Sequence, residues 1–253
     1  ISIASGSVVL ENNGILSSTA DASGGGVFVA GGDVTLRGNV LRGNSARYGG
    51  GLYVDQGAVS LEGDLFTDND AGPVGGAIAM SGGELAGTNV MVVRNDSADA
   101  GVYVCGGHLT GSHWTLADNG RYGVIADLGI EIESGSAHLR NSIVAFHTAG
   151  FFGAGTAGYQ TLFHRVGNPC IAGASCVSNI FGDPKFVDPS RSDYHITRDS
   201  AAVDQAHGID TSVDLDGDER PLDAASDIGA DEVETEVTIY LPLVLRQSFP
   251  FSP

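Results

Sequence analysis

The sequence predicts an all-β fold, a right-handed single-stranded parallel β-helix with about 25 residues per turn and an irregular C-terminal cap. Glycine makes up 38 of the 253 residues, and short apolar runs are bounded by Gly, Asn, Asp and Ser, a pattern typical of strands and turns. No stretch keeps the 3.6-residue apolar period of an amphipathic helix. A similar unit recurs along the chain, which indicates a repeat architecture.

Three columns of residues define the repeat, at intervals of 22 to 28 residues. The first column consists of glycines that precede apolar runs: Gly26, Gly51, Gly76, Gly101 and Gly123. The second column is mostly amide or carboxylate: Asn39, Asp64, Asn89, His113 and Asn141. The third column is asparagine throughout: Asn44, Asn69, Asn95 and Asn119.

The content of each unit selects the kind of solenoid. A unit contains about three short strand-like pieces, such as 51–57, 58–64 and 65–70. Helical repeats need two amphipathic helices per unit, and propeller blades need about 40 residues. Three strands per unit instead predict a three-faced β-helix whose successive turns stack about 4.8 Å apart.

The columns then acquire structural roles. The glycines are expected at corners that need either a positive φ or close approach of a neighbouring turn. The asparagines are expected to hydrogen-bond along the stack as an amide ladder. His113 is interpreted as a polar corner residue, and Trp114 as a side chain that caps or lines the stack.

The chain divides into three predicted regions: 1–165 forms the β-helix turns, 166–235 forms a C-terminal end or cap, and 236–253 forms a tail strand. A disulfide between Cys170 and Cys176, six residues apart, is predicted to close a loop in the cap. Cys105 is interpreted as a small strand residue.

Charge and hydropathy limit the functions and compartments. The formal net charge is −19, with only 12 Lys and Arg residues, which excludes the basic face that nucleic-acid binding requires. The longest apolar run, 239–245, is too short to span a bilayer. The chain starts at Ile1 with no leader-like segment, so we expect an extracellular or cell-surface protein whose leader peptide has been removed.

One acidic stretch, "DLDGDERP", suggests a cation site. Asp214, Asp216 and Asp218 alternate like the oxygen ligands of a calcium loop. Glu219 stands where the EF-hand pattern requires glycine. The alternative is a turn in which Arg220 and backbone amides satisfy the carboxylates. Calcium is therefore the one cofactor that the sequence suggests.

The sequence predicts no catalytic or cofactor-binding residues. A glycosidase needs two carboxylates at a defined separation, one with a raised pKa, whereas the acidic corners are interpreted as solvated: Asp68, Asp70, Asp96 and Asp99. The seven histidines show no zinc-site spacing. A glycan-binding strip would use Tyr48, Tyr53, Tyr103 and Tyr122, of which Tyr53 and Tyr103 fall in apolar strands.

Several stretches resemble known bacterial families. The units "GGGLYV…LFTDND" and "GGAIAM…VVRND" resemble the repeats of polymorphic outer-membrane proteins. The pieces "DPKFVD", "DYHITRDSAAVD" and "DLDGDERPLDAASDIGADE", with the final "IYLPLVLR", resemble the ends of secreted choice-of-anchor β-helix proteins. "SAAVD" departs from that pattern, which usually has proline after the serine. The resemblance implies a bacterial surface or secreted β-helix, often adhesive, and no catalytic residues to transfer.

We therefore expect a non-catalytic structural or adhesive surface protein, whose partner is another copy of itself or a cell-surface component. The apolar terminal segments, "ISIAS" and "VTIYLPLVL", either cap their own stack or complete the edge of a neighbouring copy. The second case produces a head-to-tail filament. The alternative function is a polysaccharide-active enzyme, a lyase or a glycoside hydrolase, of the β-helix type.

Overall fold

The computed structural model describes residues 1–120, 128–208 and 211–234. It confirms a parallel β-solenoid: each turn contributes one strand to each of three eight-stranded sheets, A, B and C. Neighbouring strands in all three sheets are parallel and in register from turn to turn. The only helix among the described residues is a 3₁₀ turn at Pro189–Arg191.

The strands of each sheet follow in chain order. Sheet A contains Ser2–Ile3, Val27–Val29, Leu52–Val54, Ile78–Met80, Ala100–Val104, Leu128–Ile132, Ala149–Phe152 and Asn168–Ile171. Sheet B contains Ser7–Glu11, Asp33–Arg37, Ala58–Glu62, Glu84–Thr88, His108–Ser112, Ser136–Arg140, Thr156–Tyr159 and Ser175–Val177. Sheet C contains Gly14–Leu16, Val40–Arg42, Leu65–Thr67, Met91–Val93, Thr115–Ala117, Ile143–Ala145, Leu162–His164 and Ile180–Phe181.

Two smaller sheets complete the fold. Ser45–Tyr48 and Asp70–Val74 form a parallel pair at the corner between sheets C and A. Phe186–Asp188 and Asp193–Ile196 form an antiparallel pair beyond the stack.

The interior of the stack is apolar because alternate residues of each strand point inward. In sheet B, Val34, Leu36, Val59 and Leu61 are at most 3% exposed, whereas their neighbours along each strand face outward. Trp114 is fully buried, and its Nε1 donates to the carbonyl of Gly87 at 3.0 Å. Trp114 therefore lines the stack, as one of the two sequence interpretations proposed.

The glycine column works by close approach. A Cβ at Gly26 would lie 2.7 Å from the carbonyl oxygen of Gly51, and one at Gly51 would lie 2.8 Å from that of Ala77. Positive φ angles occur instead two residues earlier, at Gly24 and Gly49. The glycine column therefore has one of its two expected roles, the close approach of a neighbouring turn. The other expected role, a positive φ angle, belongs to the glycines two residues earlier.

A register irregularity corrects two of the predicted columns. The pairing of Asp70–Val74 with Ser45–Tyr48 shifts between Ala71 and Val74, which inserts one residue into that turn. As a result Gly51 aligns with Ala77 rather than Gly76, and Asp64 aligns with Val90 rather than Asn89. The 25-residue period conceals this slip because the average interval is unchanged.

The stack continues past residue 165, into the region that the sequence assigned to the C-terminal end of the β-helix or its cap. Ile130 pairs with Phe151 and Phe151 with Cys170, so the last two turns take 21 and 19 residues. Stacked strands reach Phe181. The repeat weakens in the sequence after about residue 150 because these turns are shorter.

The segment after the stack covers one side of it rather than its end. We call residues 183–208 and 211–234 the lateral cover. Tyr194, Ile196 and Ile228 of the cover are at most 4% exposed and pack against outward-facing side chains of sheet C such as Met91 and Ile143. The predicted tail strand, 236–253, and Gly123 of the first column lie outside the described residues.

Candidate functional site

The outer face of sheet B forms a shallow groove that runs along the stack axis. Its floor is a column of mostly small side chains from five turns, held in register by strand pairing. These floor residues are Ser60, Ala86, Thr110, His138 and Ala157. The part of the groove over Ala86, Thr110 and His138 has a volume of about 600 Å³. Such a floor leaves room for an extended chain along the axis.

Polar and charged groups border the groove. Tyr159, which is 46% exposed, and Arg140 line one end. Residues 211–217 of the lateral cover line the other part. There Arg37 forms exposed ion pairs with Glu62 at 2.7 Å and Glu11 at 3.5 Å. The groove thus presents hydroxyl, aromatic and ionic groups together.

The outer face of sheet A carries aromatic side chains. Phe28 and Tyr53 stack with their ring centroids 5.7 Å apart. Tyr103 lies in the same outward column and donates its hydroxyl to Glu133 at 2.5 Å. Burial and this carboxylate raise the pKa of Tyr103. Tyr53 and Tyr103 do lie in apolar strands, as expected, but they point outward. Tyr122 lies outside the described residues.

The third column forms the predicted amide ladder. The Oδ1 atom of Asn69 accepts from the backbone N–H of Asn44 at 3.0 Å and from its Nδ2 at 2.9 Å. Asn69 Nδ2 in turn donates to Asn95 Oδ1 at 2.9 Å, and Asn95 repeats the pattern with Asn119. All four side chains are buried. These asparagines therefore hold the corner of the stack and are not accessible to a ligand.

The second column separates into two sets. Asn39 and Asp64 form a short ladder of their own, in which both nitrogens of Asn39 donate to Asp64 Oδ1 at 2.8 and 2.9 Å. Burial raises the pKa of Asp64 to about 6. Asp64 is fully buried and faces the ladder, so this raised pKa does not supply an accessible acid.

The other members of that column adopt positive φ angles and face the lateral cover. Asn89 Nδ2 donates to the carbonyl of Val213 at 2.6 Å, and Asn141 exchanges hydrogen bonds with the backbone of His207 at 3.1 and 3.2 Å. His113 is fully buried. Burial, with the positive charges of Arg220 and Arg140, lowers its pKa to about 3. These corners therefore anchor the cover.

The predicted calcium ligands have three different surroundings. Asp214 Oδ1 accepts from the backbone N–H groups of Asp216, Gly217 and Asp218, each at 2.9 Å. The Asp216 side chain faces His195, and Asp218 is exposed. Among the described residues these three carboxylates form no group with ligand atoms close together. Calcium binding itself stays a prediction.

The alternative to a calcium loop was a turn in which Arg220 and backbone amides satisfy the carboxylates. The structure agrees with part of that alternative. Arg220 is buried and donates to the carbonyls of Asp227 at 2.8 Å and Gly229 at 2.9 Å. Its Nη1 lies 3.3 Å from a carboxylate oxygen of Glu232. Backbone amides, and not Arg220, make the hydrogen bonds to Asp214. The stretch 214–220 is therefore a structural turn that joins two parts of the cover.

The sequence missed a cluster within the cover: His195, Asp216 and Asp231 each place a potential metal-ligand atom within 4.8 Å of the others. Their separation along the chain offers no motif, and only "DYH" at 193–195 puts a carboxylate beside a histidine. The predicted disulfide between Cys170 and Cys176 is present, in the last turn of the stack. Cys105 is a free thiol directly after a strand of sheet A.

The other charged candidates are separate from these sites. Asp68 pairs with Arg94 at 3.2 Å, and both side chains are more than 40% exposed. Asp70 and Asp96 lie in register at one corner, joined by an isolated parallel bridge. Their interpretation as solvated corner residues, and that of Asp99, stays a prediction.

Both ends of the stack have free strand edges within the described residues. Ser2–Ile3, Ser7–Glu11 and Gly14–Leu16 each have a neighbour on one side only, as do the three last strands. Val8 and Leu10 are only partly buried, whereas their inner neighbours Val34 and Leu36 are at most 2% exposed. The end layers of the core are therefore incompletely covered.

Comparison with protein-family models, with curated proteins and with solved structures finds no match. The likeness to outer-membrane-protein repeats and choice-of-anchor ends thus rests on the sequence pieces alone, while the parallel β-solenoid stands on the strand pairing. No helix among residues 1–120, 128–208 and 211–234 has the length and apolar character needed to cross a membrane.

Proposed function

We propose that the protein is an extracellular, non-catalytic structural or adhesive scaffold that assembles head to tail through the two ends of its stack. The observation that carries the proposal is that, within the described residues, the first and last strands of all three sheets pair on one side only, next to partly covered core layers. Exposed strand edges recruit further strands unless something covers them. Because the two ends differ, their contact is heterologous, and such contacts extend into fibres when the rotation does not close.

Side chains at the two ends support this assembly. Ile1, Val9 and Leu16 are 55%, 59% and 47% exposed at the first turn, and Val177 and Phe181 are 52% and 69% exposed at the last. All three sheets run in the same direction at both ends, so a second copy continues each sheet as a further parallel strand. This contact would bury apolar surface and pair backbone groups at the same time.

Negative-stain microscopy of the full chain with an edge-blocking variant tests the proposal. The Gly6 carbonyl and the Asn12 N–H both point to the second turn, so alternation along the strand places the Val9 N–H at the free edge. Val9→Pro removes that donor, and we expect it to give monomers that keep the native circular dichroism. Val9→Thr keeps the donor and should still form filaments.

Two results would overturn this function. One is discrete monomers of the unmodified protein across pH and calcium concentration, and the other is filaments that Val9→Pro leaves unchanged. Removal of residues 236–253 then tests whether this tail covers its own stack or completes the edge of a neighbouring copy. We expect longer filaments if the tail covers its own stack, and monomers if it completes the edge of a neighbour.

The lateral groove favours a second candidate function, binding or cleavage of a polysaccharide chain. Its open course over several turns, with Tyr159 at one end and carboxylates such as Glu62 beside it, fits an extended sugar polymer. Incubation with uronate polymers, followed by assays for unsaturated or reducing ends, separates cleavage from binding. Ala86→Trp fills the floor and should abolish either activity, whereas filament assembly should continue.

A further inference from the structure

Three separate parts of the lateral cover converge on the imidazole of His195. His195 lies in the antiparallel strand Asp193–Ile196, Asp216 lies in the turn at 214–218, and Asp231 lies near the end of the described chain. One nitrogen of His195 and one oxygen from each aspartate are all within 4.8 Å of one another. No other group of three or more such residues occurs in the described part of the chain.

A hydrogen bond with Asp193 fixes the orientation of the His195 imidazole. His195 Nδ1 lies 2.6 Å from Asp193 Oδ1, and an ionised carboxylate only accepts hydrogen bonds, so Nδ1 is the donor. In metal sites a ligating histidine typically donates its second nitrogen to a carboxylate in this way, which fixes the tautomer and directs the other nitrogen at the ion. Asp193 and His195 have that arrangement.

The other imidazole nitrogen points at acceptors. Nε2 is buried and lies 2.9 Å from Asp216 Oδ2, yet it makes no hydrogen bond with any described residue. A neutral imidazole with Nδ1 protonated carries a lone pair at Nε2, which would face carboxylate oxygens. That arrangement requires a positive charge between the groups, either a proton or a metal ion.

Asp231 is the most buried member of the cluster. It is 6% exposed, and the hydrogen bond that it accepts within the described chain is from the Ile196 N–H to Oδ2 at 2.7 Å. Asp231 supplies one of the three candidate ligand atoms, so the cluster includes a carboxylate that is almost fully buried.

We propose that His195, Asp216 and Asp231 bind one divalent first-row transition-metal ion, with Asp193 as a positioning residue. Imidazole together with carboxylates suits zinc and its neighbours, whereas calcium prefers oxygen ligands alone. Ligands about 2.1 Å from one zinc ion are at most about 4.2 Å apart, so small inward shifts complete the site. Three protein ligands leave a position for water. The bound ion ties together the strand, the turn and the end of the cover.

Isothermal titration of the full chain with Zn²⁺, after treatment with chelator, tests the site. We expect saturable binding of one ion per chain and a rise in melting temperature, because an ion bound only to the folded state stabilises it. His195→Gln and Asp216→Asn should each abolish that binding. Both side chains are more than one third exposed, so the fold should tolerate these changes.

Matched variants separate this site from weak surface binding. Asp218→Asn, in the same turn, and His138→Gln, in the groove, should bind zinc like the unmodified protein. Asp193→Asn should weaken binding about 10–100-fold while stoichiometry is kept. Zinc binding that survives both His195→Gln and Asp216→Asn would overturn the proposal, as would no saturable zinc binding at all. Equal stabilisation by Ca²⁺ and Zn²⁺ would overturn the assignment to a transition metal.

Discussion

The stack and the lateral cover are stabilised in opposite ways. In the stack each turn repeats the same contacts with the turns on either side, such as the bonds from Asn44 to Asn69 and from Asn69 to Asn95. In the cover each contact occurs once. For example, Arg220 forms an ion pair with Glu232, and Asp214 accepts a hydrogen bond from the backbone of its own turn. The stack therefore distributes its stability over many equivalent bonds, whereas the cover depends on a few buried charges.

A single substitution therefore has different consequences in the two regions. Loss of one ladder member in the stack leaves the turns above and below with intact neighbours, because each turn contacts only those next to it. Loss of one buried charge in the cover leaves its partner without compensation.

Arg220→Met should give the largest loss of stability. It removes the donor to the carbonyls of Asp227 and Gly229 and leaves the buried Glu232 unpaired. Breaking a buried ion pair costs about 3–5 kcal/mol. We expect limited proteolysis to remove the cover from this variant while the stack stays resistant. Simultaneous loss of both regions would show that they are one cooperative unit.

Asn69→Ala should destabilise the stack by about 3 kcal/mol, because the N–H and Nδ2 groups of Asn44 lose their acceptor and the Leu41 carbonyl loses its donor in a buried site. Denaturant unfolding measures the change. Asn13→Ala, at the exposed start of the neighbouring ladder, is the control and should cost about 1 kcal/mol. Equal losses for the two variants would contradict the buried ladder.

The stability of the cover should fall as pH rises from 5 to 7. Burial raises the pKa of Asp227 to about 7 from its ordinary value of 3.8, so the folded state binds more protons than the unfolded state between these values. Stability is then greatest at low pH and decreases by about 2 kcal/mol over this interval. Unfolding followed at both pH values checks this. Asp227→Asn should reduce the dependence, and the part that remains belongs to other buried carboxyl groups with raised pKa values, such as Asp231.

Gly72→Ala should have the smallest effect, a gain of about 0.4–1 kcal/mol, because a Cβ there meets nothing within 4 Å and its φ is not positive. The same substitution at Gly51 should destabilise, since its Cβ would lie 2.8 Å from the Ala77 carbonyl and 2.9 Å from the Phe66 ring. Melting temperatures of the two variants give the comparison. A higher melting temperature for both variants would show that close approach of a neighbouring turn does not explain the glycine column.

The sequence predicted the stack well because stacked turns require similar residues at similar intervals. The ladder from Asn44 to Asn119 follows from that periodicity. The slip to Ala77 was missed because one extra residue at Ala71–Val74 leaves the average period unchanged. The final stacked strands, up to Phe181, were not assigned to the β-helix turns because the repeat is shorter there. The position of the cover and the convergence on His195 depend on contacts that occur once, for which a single sequence carries no repeated signal.

Cryo-electron microscopy of the assembled protein tests head-to-tail assembly most directly, through the axial repeat. Each sheet contributes eight strands per chain, and strands in a sheet are about 4.8 Å apart. If the last turn of one copy pairs directly with the first turn of the next, the repeat is about 38 Å and the 4.8 Å spacing continues across the junction. A longer repeat, a gap in the strand spacing at the junction, or single particles only would contradict assembly through the strand edges.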